Sequence, residues 1–111
     1  MEIEILAVYD KTDLSHERIV LLAKEDCNLW PYILFNTAPD FDRYSFIFPN
    51  SEINKGDTVT VYSKEGSQQT QKNPNSTKNH IFYWGMKNSI WKNPSDKVML
   101  VKVTDYKIKD I

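Results

Sequence analysis

Apolar residues in this chain recur with period two or in short runs, and no window sustains the i, i+3, i+4, i+7 spacing of an amphipathic helix. An all-β fold is therefore expected. Tyr44, Phe46 and Phe48 alternate with Arg43, Ser45 and Ile47, which puts three aromatic rings on one face of a strand that Pro49 closes. Val59 and Val61 alternate in the same way with Thr58, Thr60 and Tyr62, after the turn chemistry of Asn54-Lys55-Gly56. Ile3, Ile5 and Ala7 share one face of a first strand, and Leu6 and Val8 make the far end of its other face apolar, so that end is expected to be covered on both sides. Ile19-Val20-Leu21-Leu22-Ala23 reads as a central strand, and Pro31 marks the start of Tyr32-Ile33-Leu34-Phe35 because proline cannot donate to a ladder. Ile81 to Trp84 and Lys97 to Val103 complete the set, with Ile90-Trp91 as a shorter strand between them.

A chain of 111 residues is the size of one domain with one ordinary core, here residues 1-111. At 41% hydrophobic and 13% aromatic, it has enough apolar surface to offset the entropy of ordering. Lys and Arg number 14 against 15 Asp and Glu, so no overall positive field draws the protein to nucleic acid or anionic lipid. Cys27 is the sole cysteine and cannot form an internal disulfide, which fits a reducing compartment. Met1-Glu2-Ile3-Glu4 places acidic residues where a secretory signal would place positive charge, and the apolar runs fall short of the roughly 20 residues that cross a bilayer. A cytoplasmic protein without a membrane span is the expectation.

Lys64 to Asn79 is dominated by Ser, Gln, Thr, Asn and Lys with no large apolar side chain, and is expected to be a long mobile surface loop. Asn75-Ser76-Thr77 within it matches the glycosylation acceptor pattern, and the simpler reading is a polar loop tip.

Several segments taken together resemble the lamin tail domain, an immunoglobulin-like β-sandwich found in nuclear lamins and in many bacterial proteins. Glu17-Arg18-Ile19-Val20-Leu21-Leu22 is similar to the family's first core strand, and Leu29-Trp30-Pro31-Tyr32-Ile33-Leu34 matches its Leu-x-Gly-x-x-Leu segment at both leucines, with Pro31 where the family has glycine. The aromatic strand ending at Pro49, the Lys55-Gly56-Asp57 turn, Trp84-Gly85, Trp91-Lys92-Asn93 and Asp96 follow in the family's order. The resemblance covers Glu17 to Val101; the glycine turn that often precedes the family's last strand is absent. It implies a sandwich of about seven to nine strands that acts as a non-enzymatic interaction module. In bacterial proteins such a module is often appended to a nuclease or hydrolase whose catalytic domain lies elsewhere.

No catalytic residue set is visible. The chain lacks a Gly-x-Ser-x-Gly elbow and a Gly-x-x-x-x-Gly-Lys phosphate loop, and its three glycines are too scattered for a glycine-rich cradle. His16 and His80 with Cys27 give no zinc spacing, so no metal and no cofactor is expected. Asp40 and Asp42, joined by Asp10, Asp13 or Asp57, are the residues from which a calcium site at a sandwich end would be built, and solvated loop carboxylates are the commoner explanation.

For binding, Trp30 beside Pro31 is the best candidate for an exposed ring, and with Tyr32 or Tyr44 it would form a stacking platform for a glycan. Trp84 and Trp91 read as core. Lys72, Lys78, Lys87, Lys92 and Lys97, interleaved with aromatics, would form either a basic patch for nucleic acid or a solvated rim guarding strand edges. The partner expected first is another protein, contacted by a sheet face or edge together with Lys64 to Asn79; glycan or nucleic acid is the alternative.

Overall fold

The computed structural model describes residues 1–37 and 44–111. The connection through Pro39, with Asp40, Asp42 and Arg43, lies outside the described residues, and so do the two aspartates at the centre of the calcium reading.

The described residues form ten strands: β1 (Ile3–Tyr9), β2 (Arg18–Ala23), β3 (Cys27–Asn28), β4 (Tyr32–Thr37), β5 (Tyr44–Ile47), β6 (Glu52–Ile53), β7 (Thr58–Tyr62), β8 (Gln69–Lys72), β9 (Lys78–Tyr83) and β10 (Lys97–Lys102). They build a five-stranded sheet in the order β1-β2-β7-β9-β8, a three-stranded sheet in the order β10-β4-β5, and a small pair β3-β6. The fold is all-β, as the period-two pattern predicts. Pro31 falls immediately before β4, where its missing donor does no harm.

The core lies between the two larger sheets. Ile19, Leu21, Val59, Val61 and Phe82 come from the five-stranded sheet, and Tyr32, Leu34 and Phe48 come from β4 and the end of β5. The rings of the aromatic strand dominate it. Phe46 meets Phe48 edge-on at 5.1 Å, Phe48 meets Phe82 at 5.3 Å, and Phe46 reaches Trp84 at 5.7 Å. Trp84 meets Trp91 at 6.3 Å, and Trp91 is buried, so both tryptophans serve as core packing.

Three expectations are corrected. β1 is an edge strand, with Ile5 and Leu6 both exposed rather than covered. A register shift between Ile5 and Ala7 turns Leu6 out of the alternation. Ile90-Trp91 is not a strand; the two side chains plug the core from an irregular segment between β9 and β10. Lys64 to Asn79 is not a long loop, because β8 and the start of β9 form an antiparallel hairpin inside it, with Gln69 opposite Ile81 and Lys72 opposite Lys78. All four β8 residues are exposed. A ladder of main-chain hydrogen bonds at a sheet edge needs no apolar side chain, so composition alone does not reveal it. The hairpin lets β9 run parallel beside β7, from Thr58 opposite Asn79 to Tyr62 opposite Tyr83.

Gly66 is required where this hairpin folds back on the sheet. A β-carbon there would collide with the ring of Tyr83, which is stacked on Tyr62 at 5.5 Å. Gly66→Ala is expected to lower stability by about 1 to 3 kcal/mol through overpacking, measured by urea denaturation.

Glu17 is fully buried at the head of β2. Its Oε1 accepts from the Thr12 N–H at 3.1 Å and from the Ser89 hydroxyl, and its Oε2 accepts from the Ile90 N–H at 3.0 Å. Asn36 on β4 completes the clamp by donating to the Ile90 carbonyl at 2.6 Å. Through these bonds one carboxylate ties the turn before β2 to the plug residues. Glu17→Ala leaves the buried Ile90 N–H without an acceptor and unties the Thr12 turn, and is expected to remove about 1 to 3 kcal/mol of stability, read as a drop in the urea midpoint at unchanged slope.

Candidate functional site

β4 has two apolar faces. Tyr32, Leu34 and Asn36 point inward and are buried, while Ile33, Phe35 and Thr37 alternate outward and are half-buried. Cross-strand pairing aligns the outward residues into rows. Val101 lies opposite Ile33, which lies opposite Ile47; Met99 lies opposite Phe35, which lies opposite Ser45. On this outer face of β10-β4-β5 the apolar side chains of Met99, Val101, Ile33 and Phe35 are half-buried, and Ile47 at its edge is exposed.

At one end of that face is a groove of about 230 Å³ lined by Trp30, Pro31, Ile33, Ile47, Val103, Tyr106 and Ile108. Trp30 is 48% exposed and Ile47 62% exposed. The turn before β4 explains how Trp30 reaches it. Leu29 and Tyr32 are both buried, and the Tyr32 N–H closes the turn onto the Leu29 carbonyl at 2.9 Å. Trp30 and Pro31, between two core anchors, are pushed outward. The Asn28 carboxamide sets the approach, accepting from the Trp30 N–H at 2.8 Å and from the Ser51 N–H at 3.1 Å. Past β10, the Val103 N–H donates to the Pro31 carbonyl at 2.7 Å, which swings the 104–111 segment toward the groove. Tyr106 then meets Trp30 edge-on at 6.1 Å.

Beneath the groove, the Tyr32 hydroxyl and the Lys102 ammonium both donate to the Glu2 carboxylate, with Lys102 Nζ 2.8 Å from Oε2. Lys102 and then Tyr32 hold the Glu2 carboxyl down at about 2, against an ordinary value of 4.5. Burial, reinforced by Glu2, pushes the Tyr32 phenol up. Burial and the same carboxylate raise the Cys27 thiol, which makes it a poor nucleophile.

Of the residues singled out from sequence, Trp30 stands in the groove. Tyr32 does not join it as a stacking ring, because it is fully buried with its hydroxyl bound to Glu2. Tyr44 points toward the core. Lys72 and Lys78 are brought face to face across β8 and β9, at the edge of the other sheet. Lys87 and Lys92 are exposed on the irregular segment between β9 and β10. Ile33, Ile47, Val103, Tyr106 and Ile108 were not anticipated as a site. The available signal was the second alternation in β4 and β5, which puts Ile33 and Ile47 on the face opposite the core, and the two-residue spacing of Tyr106 and Ile108.

The aspartates considered for calcium are otherwise engaged where they are described. Asp10 pairs with Arg18 at 2.7 Å and Asp13 with His16 at 2.8 Å. Asp57 is buried and accepts from the Asn54 N–H, the Lys78 N–H and His80. Burial works to raise the Asp57 carboxyl, and these donors outweigh it, leaving the group below its ordinary value. Among the described residues, no group of three or more His, Cys, Asp or Glu side chains could hold a metal ion. No helix among them is long and apolar enough to cross a membrane. No protein-family model matches the chain, and a search of curated proteins finds no match.

Glu2 gives a pH test of how the groove floor is held. Because its folded value is depressed, its stabilising contribution is present above about 4.5 and fades as pH falls toward about 2. The melting temperature is expected to drop through that window, and Glu2→Gln to flatten that part of the profile while lowering the melting temperature at neutral pH.

Proposed function

We propose that this chain is a non-enzymatic protein-recognition module of the lamin-tail type, with an immunoglobulin-like sandwich as its scaffold and the Trp30 groove as its docking surface. The observation that carries the reading is the apolar groove at the end of the outer face of β10-β4-β5, where exposed Trp30 and Ile47 flank half-buried Ile33. Apolar surface that a monomer leaves open and contiguous marks an interaction site. Aromatic anchors such as Trp30 and Tyr106 are the side chains that dominate binding energy at such sites.

The family resemblance supports the same class. Its motif positions carry framework roles: Glu17 clamps the plug, Asp57 ties the turn at Gly56 to β9, and Trp84 and Trp91 fill the core. Taken as framework, they leave the outer face of the smaller sheet as the surface that varies in use.

A protein segment fits the groove better than the other ligand classes. At about 230 Å³ the groove is smaller than the roughly 300 to 1,000 Å³ of pockets that take whole small molecules, and it suits a pair of side chains. A glycan platform needs coplanar rings, whereas Tyr106 stands at 84° to Trp30. Nucleic acid needs a cluster of free cations, and Lys72 and Lys78 lie on the other sheet while Lys102 is paired with Glu2.

Panning a displayed peptide library against the chain tests the reading. Enriched peptides are expected to carry apolar residues two apart and to lose at least about tenfold in affinity, roughly 1.4 kcal/mol, on Trp30→Ala or Ile47→Lys at unchanged melting temperature. Peptides that bind both variants as well as the parent chain, or tryptophan fluorescence that responds to glycans and not to peptides, would overturn it.

A further inference from the structure

The groove is bounded by residues of two kinds. Trp30 and Pro31 sit in the turn that Leu29 and Tyr32 anchor in the core, and Ile33 and Ile47 lie opposite each other on the paired strands β4 and β5. Main-chain bonds and buried neighbours hold these four from behind. Val103, Tyr106 and Ile108 come from the chain beyond β10, which ends at Lys102. The last fixed point there is the bond from the Val103 N–H to the Pro31 carbonyl at 2.7 Å. After it, residues 104–111 lie in no strand and make no backbone hydrogen bond with the described residues.

Tyr106 is 59% exposed and Ile108 79% exposed, and neither packs on the buried core cluster. What Tyr106 touches is the groove itself, where its ring meets Trp30 edge-on at 6.1 Å. A wall residue is supported from outside the space it bounds, whereas a side chain whose packing lies within that space is an occupant. By that criterion Tyr106 and Ile108 occupy one side of the groove, and Trp30, Pro31, Ile33 and Ile47 are its fixed surface.

The spacing of the two occupants shows what they stand in for. Side chains two residues apart in an extended segment point to the same face, so Tyr106 and Ile108 offer the groove the same apolar pair that an extended peptide would offer, with Lys107 between them exposed. One edge-on aromatic contact and one main-chain bond at Val103 are what keep the stretch against the sheet. Little separates this arrangement from one in which the stretch is lifted into water.

We propose that residues 104–108 are an autoinhibitory strap, hinged at Val103, which places Tyr106 and Ile108 in the groove as an internal substitute for a partner segment that must displace them to bind. The inference rests on the groove being a docking surface and adds how access to it is regulated. A short connection to the hinge keeps the local concentration of the strap high, so it competes although its contacts are few. The partner's apparent affinity is then its intrinsic affinity scaled by the fraction of molecules in which the strap is lifted. Loop segments of this kind move in nanoseconds to microseconds, far faster than a partner at micromolar concentration arrives. The strap therefore slows association and leaves dissociation unchanged.

The test uses the full chain and, as probe, a fluorescent peptide enriched by panning on the double variant Tyr106→Ala/Ile108→Ala. Its association and dissociation are followed by stopped-flow anisotropy on the parent and on the double variant, each with and without Trp30→Ala. The parent is expected to bind at least about fivefold more weakly than the double variant, with the whole difference in the association rate. Trp30→Ala is expected to weaken binding in both backgrounds, and the double variant to keep the parent's melting temperature because both side chains are exposed. Equal affinities, or a parent that binds more tightly, overturn the inference and make Tyr106 and Ile108 ordinary contact residues. A weaker parent whose deficit lies in the dissociation rate overturns it as well. In these outcomes Trp30-dependent binding leaves the docking reading standing and this inference alone falls. If no peptide is enriched on either form, or Trp30→Ala changes nothing, the docking reading falls and the strap with it.

Discussion

The buried carboxylate of Glu17 is the interaction on which most of the molecule's arrangement depends. A carboxyl group fully removed from water is tolerated only where several donors converge on it, and here they come from the turn before β2 and from Ser89 and Ile90, far along the chain. That convergence holds an irregular segment against the sandwich without any strand pairing. Ile90 and Trp91 can then plug the core, Trp91 can brace Trp84, and Trp84 can brace Phe46. Phe46 and Phe48 thereby face inward, and strand alternation leaves Ile47 no choice but to face out. The outward-facing Ile47 of the groove is, in this sense, a far consequence of the polar clamp at Glu17.

Asp57 plays the matching part for the other sheet. Gly56 takes a φ of +91°, which an L side chain rarely adopts, and the chain turns so that the Asp57 carboxylate receives N–H groups from Asn54 and Lys78. One side chain thus fixes both the start of β7 and the entry of β9 beside it. The parallel pairing of β7 and β9 follows, and β8 can attach only on the outside of β9. Main-chain bonds from Trp84 to Tyr62 and from Met86 to Ser63 continue that alignment past the end of β9 and deliver the chain to the Glu17 clamp.

These dependencies explain which parts of the structure were legible in the sequence. Strands with one buried face announce themselves, because burial imposes alternation: Tyr44 to Phe48 and Thr58 to Tyr62 were readable, and so was the turn at Gly56. β8 was not, because its four exposed polar residues are held by backbone bonds that leave no mark on composition. Ile90-Trp91 looked like a strand because a buried apolar pair is the same in a strand and in a plug, and only the long-range clamp separates them. Trp30 was recognisable as an exposed ring from its place beside Pro31. Tyr32 was misjudged because alternation sends it inward from the same turn that sends Trp30 outward. The remainder of the groove required knowing that β10, β4 and β5 are neighbours, and that the 104–111 segment folds back past Trp30.

The two faces of β4 differ in how far they reach into the core. Its inward residues are fully buried beside Phe48 and tie the chain through Glu2 and Ile90, so change there reaches the core directly. Its outward residues are half-buried, and beside them Ile47 and Trp30 keep much of their surface in water. Apolar side chains as exposed as Ile47 add little to folding and expose the molecule to edge-to-edge association. The other three edges carry bulges or lysines against that hazard, and among the described residues Tyr44–Ile47 of β5 carry neither. An unguarded edge joined to an apolar groove, in a molecule that guards its remaining edges, is the arrangement expected where association is the use of the surface.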